Sequence, residues 1–231
     1  MRQVKISDDV IEEALRLEAQ FAANKHSGVA QNPQVMEILG RRPLLLSCPH
    51  AVNHPRDRRL KLADTFTGAL GLQLAASTDA SIIVYARTSA EDPNYDADGP
   101  YKRSILSFIA RAKPSIVIDL HGMGRSQPSD IAIGTSQGKT LGHCLELRDS
   151  LINILKSGGI TNLAVDVPGF FDASRSNTIA SFVWRTKSVP AIQVEIHKNF
   201  RDPAVMPSKY LQIFDLFKKF IELAAPVSHR L

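Results

Sequence analysis

The run Pro114-Ser-Ile-Val-Ile-Asp-Leu-His121 constrains the fold most. It is short, almost continuously apolar and opened by proline, so it reads as a strand buried on both faces. Such a strand needs sheet neighbours at its sides and a layer of helices above and below. The rest of the chain supplies both. Residues 43–48, 81–86, 130–135, 162–167 and 191–196 are further short apolar runs. Helical spacing is read over 8–23 (with Ser7 as N-cap), 60–76, 101–112, 141–156 (stopped by Gly158-Gly159) and 208–224. This alternation predicts an α/β fold, a three-layer sandwich whose central sheet is largely parallel or mixed. It is expected as one domain over residues 1–231, with the N-terminal helix packed on it.

Composition narrows the function class. Hydrophobic residues make up 44% and charged residues 22% of the 231 positions, ordinary globular usage, so a core forms without disulfide or metal staples. The net charge is +5, yet the basic residues cluster only at Arg56, Arg58 and Arg59 and at Lys218 and Lys219. No nucleic-acid-binding motif accompanies them, so nucleic acid is not the expected partner; an anionic small molecule is. No apolar run is long enough to span a bilayer and the N-terminus lacks a secretory pattern, so the expected location is the cytoplasm, away from membranes. Cys48 and Cys144 form neither a disulfide framework nor a CxxC metal pair.

Three polar groups stand where apolar strands run out: His50, His121 and Glu195. If these strands are parallel neighbours, the three side chains meet at one sheet edge, where α/β folds bind ligands. Two imidazoles and a carboxylate suit a catalytic zinc site with one position open to water, and a nearby carboxylate moves the proton. Gly122 and Gly124 allow close approach of backbone or substrate. His54 offers a second imidazole four residues after His50, but Pro55 argues against a helix there. Asp119 is expected on the opposite face from His121, in a structural or supporting part. His26, His143, His197 and His229 have no supporting pattern. With no Gly-x-Ser-x-Gly, P-loop or GxGxxG, serine and nucleotide mechanisms have little support.

Four segments in order resemble the N-formylglutamate amidohydrolase family, a group similar in fold to the zinc carboxypeptidases. They are Ser47-Cys-Pro-His50-Ala, Ile118-Asp-Leu-His121-Gly, Asp130-Ile-Ala-Ile-Gly-Thr135 with Gly138, and Ile192-Gln-Val-Glu195-Ile followed by Phe200. The resemblance implies that His50 and His121 bind Zn2+ or another divalent metal, with Glu195 as general base or acid. It further implies Asp64 as the third ligand, in a helix after the first loop, with His54 behind it; Asn53 is a poor ligand. Arg125 resembles a family arginine that would hold a substrate carboxylate or the oxyanion, with Arg175 and Arg103 as alternatives to it and Asn94 as a candidate substrate contact. The chain departs from the family at Asp92-Pro-Asn94-Tyr95, which lacks an arginine, at 172–177, and at Val52. The activity implied is zinc-dependent hydrolysis of an amide in a small N-acylated, carboxylate-bearing substrate. Two alternatives stand beside it: a catalytically lapsed binding protein of this fold, and a hydrolase of an RNA-linked ester.

Overall fold

The computed structural model describes residues 2–225, with side chains from Asp8 onward. Helix α1 (Arg2–His26) is followed by strands β1 (Val35–Ile38) and β2 (Arg42–Cys48) and a hairpin of β3 (His54–Arg56) and β4 (Arg59–Lys61). Helix α2 (Thr67–Thr78), β5 (Ala80–Tyr85), α3 (Pro100–Ala112), β6 (Ile116–Met123) and β7 (Ile131–Gly134) come next. The chain continues through α4 (Leu145–Ser157), β8 (Leu163–Val165), α5 (Ile179–Lys187), β9 (Ala191–His197), the short α6 (Lys198–Arg201) and α7 (Pro207–Ala224).

Seven strands form one sheet in the order β1-β5-β2-β6-β9-β7-β8. The central four are parallel, while β1 runs antiparallel to β5, and β7 antiparallel to β9. The parallel centre is the part whose sequence is continuously apolar; β2 from Leu44, all of β5 and β6 through His121 are buried. Helix α2 packs on β2, β5 and β6 and also touches α1 and α7, whereas α3 and α5 pack together against β1, β5, β6 and β9. The sheet is therefore covered on both faces, as its apolar strands require.

From β2 the chain goes first to β5 on one side and then, through α3, to β6 on the other. Such a reversal opens a crevice at the carboxyl ends of the strands. His50, His121 and Glu195 lie there. In register, His121 stands directly opposite Glu195, and Ser47 opposite Asp119.

Several element boundaries differ from expectation. Helix α1 begins before Ser7, so Ser7 is within it rather than at its cap, and it kinks at Ala23–Lys25, where the backbone leaves helical geometry. The helix expected over 60–76 starts only at Thr67, because Asp57 and Arg58 adopt positive φ angles (47° and 61°) and turn 54–61 into a tight hairpin. That turn lacks the Asn-Gly signal. The helix expected from 141 starts at Leu145, after a single 3-10 turn over Lys139–Leu141. Strand β1 and helix α5 carry periodicity too short to stand out. His229 lies outside the described residues.

Candidate metal centre

Strand β2 ends at Cys48, and the turn after it presents His50; β6 carries His121 two residues before its end. Asp64 arrives from the loop before α2, not from a helix. Its place is set by backbone: Asp64 N–H donates to the His50 carbonyl (2.8 Å), and its own carbonyl accepts from Thr67 N–H (3.0 Å) and Thr67 Oγ1 (2.7 Å). Asn53 pins the same loop, accepting from Ala63 N–H (2.8 Å) while its amide donates to the Lys25 carbonyl (2.9 Å) at the end of α1. The asparagine is thus a brace for the acid beside it.

His50, Asp64 and His121 converge, all buried. The two Nδ1 atoms are 3.1 Å apart, and each lies 3.4 Å from Asp64 Oδ2. Ligand bonds of about 2.0–2.2 Å in a tetrahedral zinc shell place neighbouring donors about 3.4 Å apart. The triangle matches that spacing.

Proton bookkeeping supports the same reading. His50 Nε2 lies 2.9 Å from Asp92 Oδ1, and His121 Nε2 lies 2.9 Å from Asp119 Oδ2. Ionised carboxylates only accept, so each Nε2 has an acceptor for a hydrogen, an arrangement that leaves each Nδ1 available as a metal donor once it is deprotonated. A proton shared between the two Nδ1 atoms satisfies that 3.1 Å contact, and a divalent ion among the three donors would take its place. A carboxylate behind each imidazole is also the usual arrangement around metal-bound histidines.

These partners are themselves held. Asp92 accepts from Arg56 Nε (2.7 Å) and Asn94 N–H (3.0 Å); Asp119 accepts from Ser47 Oγ (2.8 Å), which is 2.9 Å from the Tyr101 hydroxyl. Asp119 shares a face with His121, contrary to expectation, because residues two apart on a strand point the same way.

Electrostatics favour positive charge at the convergence point. Burial works against ionisation of Asp64, yet Lys61, at 2.6 Å from Oδ1, and the two imidazoles hold its carboxyl well below the usual range. Burial likewise opposes charge on His121, but Asp119 and Asp64 keep that imidazole well above its ordinary value. Glu195 is pushed up to about 7, first by burial, with His121 pulling the other way. Its Oε1 accepts from Gln193 Nε2 at 3.2 Å.

A cavity of about 390 Å³ opens over this cluster. Its far wall is the segment from Gly169 to Arg175. Gly134 of β7 lets that wall approach: a Cβ there would stand 2.3 Å from the Phe171 carbonyl oxygen. The glycine in Asp130-Ile-Ala-Ile-Gly-Thr135 therefore shapes the pocket without touching its centre.

The other expected residues divide. Arg175 and Asn94 line the cavity; the Asn94 amide nitrogen is 3.0 Å from His121 Nε2, and its oxygen accepts from Ile179 N–H (2.9 Å). Arg125 is exposed on the loop after β6 and does not line the cavity; it engages only through its carbonyl, which accepts from His197 (3.3 Å). Arg103 is also outside it, exposed on α3 and paired with Asp98 (2.7 Å). His54 does not join the donor cluster. The hairpin turns it inward, its Nδ1 lies 2.8 Å from the Glu91 carbonyl, and burial drives its pKa down to about 4. Arg56 and Lys61 line the cavity and were missed as site residues. The cluster of Arg56, Arg58 and Arg59 lies beside them in the sequence but singles out neither as a pocket residue.

The fold is a three-layer α/β sandwich with a mixed, mostly parallel sheet, which matches that of solved carboxypeptidase-like hydrolase structures, and the buried His50–Asp64–His121 cluster is a candidate metal site within it. The chain is similar in structure to a bacteriophage poly-gamma-glutamate hydrolase, with 18% identity, a TM-score of 0.56, and coverage of 85% of this chain and 92% of that one. It is likewise similar to an N-formylglutamate amidohydrolase from Ralstonia eutropha (15% identity, TM-score 0.57, 83% and 99% covered). A metallo-carboxypeptidase from Pseudomonas aeruginosa shares the fold at 13% identity and a TM-score of 0.52, with 94% and 68% covered. No protein-family model and no curated protein matches the chain. At these identities the likeness establishes the fold alone.

Proposed function

We propose that this protein is a zinc-dependent amidohydrolase acting on a small N-acylated substrate that carries a carboxylate. The observation that carries the reading is the triangle of His50 Nδ1, His121 Nδ1 and Asp64 Oδ2, with Glu195 in register beside His121. His50, Asp64 and His121 would hold a divalent ion, which would supply Lewis acidity toward a carbonyl and toward water. Asp92 and Asp119, each 2.9 Å from an Nε2, would hold both imidazoles with Nδ1 turned to the ion. Glu195, buried and on the same strand edge, takes the proton from attacking water and returns it to the departing amine. Arg175, on the cavity wall, would hold the substrate carboxylate, because Arg56 and Lys61 in the same cavity are paired with Asp92 and Asp64. The names of the structural relatives, an amidohydrolase, a poly-gamma-glutamate hydrolase and a carboxypeptidase, favour cleavage of a carbon–nitrogen bond over an ester.

The test is a Glu195→Gln variant examined for metal content and for turnover of N-acylglutamates. Zinc should be retained at one equivalent while turnover falls by about 10²–10⁴-fold. Full activity in that variant refutes the role of Glu195, and protein that takes up no zinc refutes the metal centre.

A further inference from the structure

A second cavity, of about 1230 Å³, adjoins the first and shares Arg56, Lys61, Asp64 and Gly122 with it. Its lining is basic: Lys25, Arg56, Arg59, Lys61, Lys198 and Arg201 line it with Asp57 and Asp64 as the only acids, and Arg56 is paired with Asp92 from outside it. Both acids are already engaged, Asp57 by the Tyr95 hydroxyl and Asp64 by Lys61. Lys25, Arg59 and Lys198 make no ion pair among the described residues. Arg201 is buried, and its guanidinium donates to the carbonyls of Thr65, Met123 and Ile196 rather than to a carboxylate, so its charge is not neutralised by contact. A groove with this excess of cations concentrates anions. Its remaining character is aliphatic, with Leu60 and Leu62 61% and 66% exposed, and no phenylalanine, tyrosine or tryptophan lines it. Grooves that track single-stranded nucleic acid offer aromatic platforms for the bases. Here the ligand that fits carries charge on flexible aliphatic stems.

The geometry points to this groove as a second subsite, holding the continuation of an extended chain of repeated carboxylates while the amide to be cut lies in the metal pocket. The inference rests on the amidase reading above and enlarges its substrate from a single acylated acid to an oligomeric polycarboxylate. Arg56 and Lys61, common to both cavities, stand where the chain passes from one to the other.

The experiment uses the zinc-loaded Glu195→Gln protein, so that bound chain is not cut. It is titrated with a fluorescein-labelled pentaglutamate, and N-acetylglutamate is measured by competition. Pentaglutamate should bind at least about tenfold more tightly. The double variant Arg59→Glu/Lys198→Glu should abolish that preference, whereas Lys218→Glu/Lys219→Glu, the same charge change on α7, should leave it within about twofold. Zinc content of each variant reports that it is folded. Equal affinity for the two ligands overturns the proposal, as does an equal loss in both double variants or tighter binding of a labelled RNA of matched charge. Turnover of N-acetylglutamate by the wild type without chain preference sinks the groove and spares the amidase. Chain capture by protein that neither binds zinc nor cleaves does the reverse.

Discussion

Asp92 and Asp119 matter to the centre as much as the residues they support. Each is fully buried, and each fixes one imidazole through its outer nitrogen. Converting Asp119 to asparagine keeps the volume and the bond from Ser47 but removes the charge that raises the basicity of His121. Zinc affinity, measured by competition with a chromophoric chelator, should fall about 10–100-fold in Asp119→Asn. An unchanged affinity would show that Asp119 only packs. His50 and His121 were legible in the sequence because apolar strands end at them. Asp119 was legible as well, two residues before His121, but its face was misassigned. Arg56 and Lys61 were not legible, since nothing local separates a pocket cation from a solvated one.

At the scale of elements, α1 carries an unusual cost. Glu18 on this helix is only 5% exposed, and neither of its oxygens makes a hydrogen bond among the described residues. Burial raises its pKa to about 7, with Asp202 adding to the rise; the Phe66 main chain and Arg201 offset part of it. The folded state therefore holds a proton that the unfolded chain, with an ordinary carboxyl, has lost between about pH 4.5 and 7. Stability falls as pH climbs through that window and is level above it. The stability difference between Glu18→Gln and wild type should shift in favour of the variant by about 3 kcal/mol from pH 4.5 to 7.5. Parallel urea-denaturation profiles across those pH values would contradict this account. The helix itself was evident from spacing, but its kink and its contacts with α2 and α7 belong to the packed state.

For the molecule as a whole, the centre ties together the end of β2, strand β6 and the loop before α2. An ion bound there stabilises the folded state by mass action, about 2.7 kcal/mol at a hundredfold excess over Kd. Zinc added to chelator-treated protein should raise Tm by several degrees. The shift should vanish in His50→Ala/His121→Ala; if it persists there, the ion binds elsewhere.

Periodicity alone determined the layered α/β class, the parallel central strands and the two histidines and glutamate at their ends. Those features follow from local rules: a strand apolar on both faces must be covered on both faces, and a polar residue at its end must lie at the sheet edge. Tertiary structure alone decided the rest. Asp64 reaches the site from a loop because a hairpin with no standard turn signal precedes it. Arg175 lines the pocket, and Arg125 does not, because segment 169–175 closes over Gly134 while the loop after β6 turns outward. Which of many charged side chains face a cavity depends on contacts between residues far apart in the chain, and no spacing within a segment encodes them.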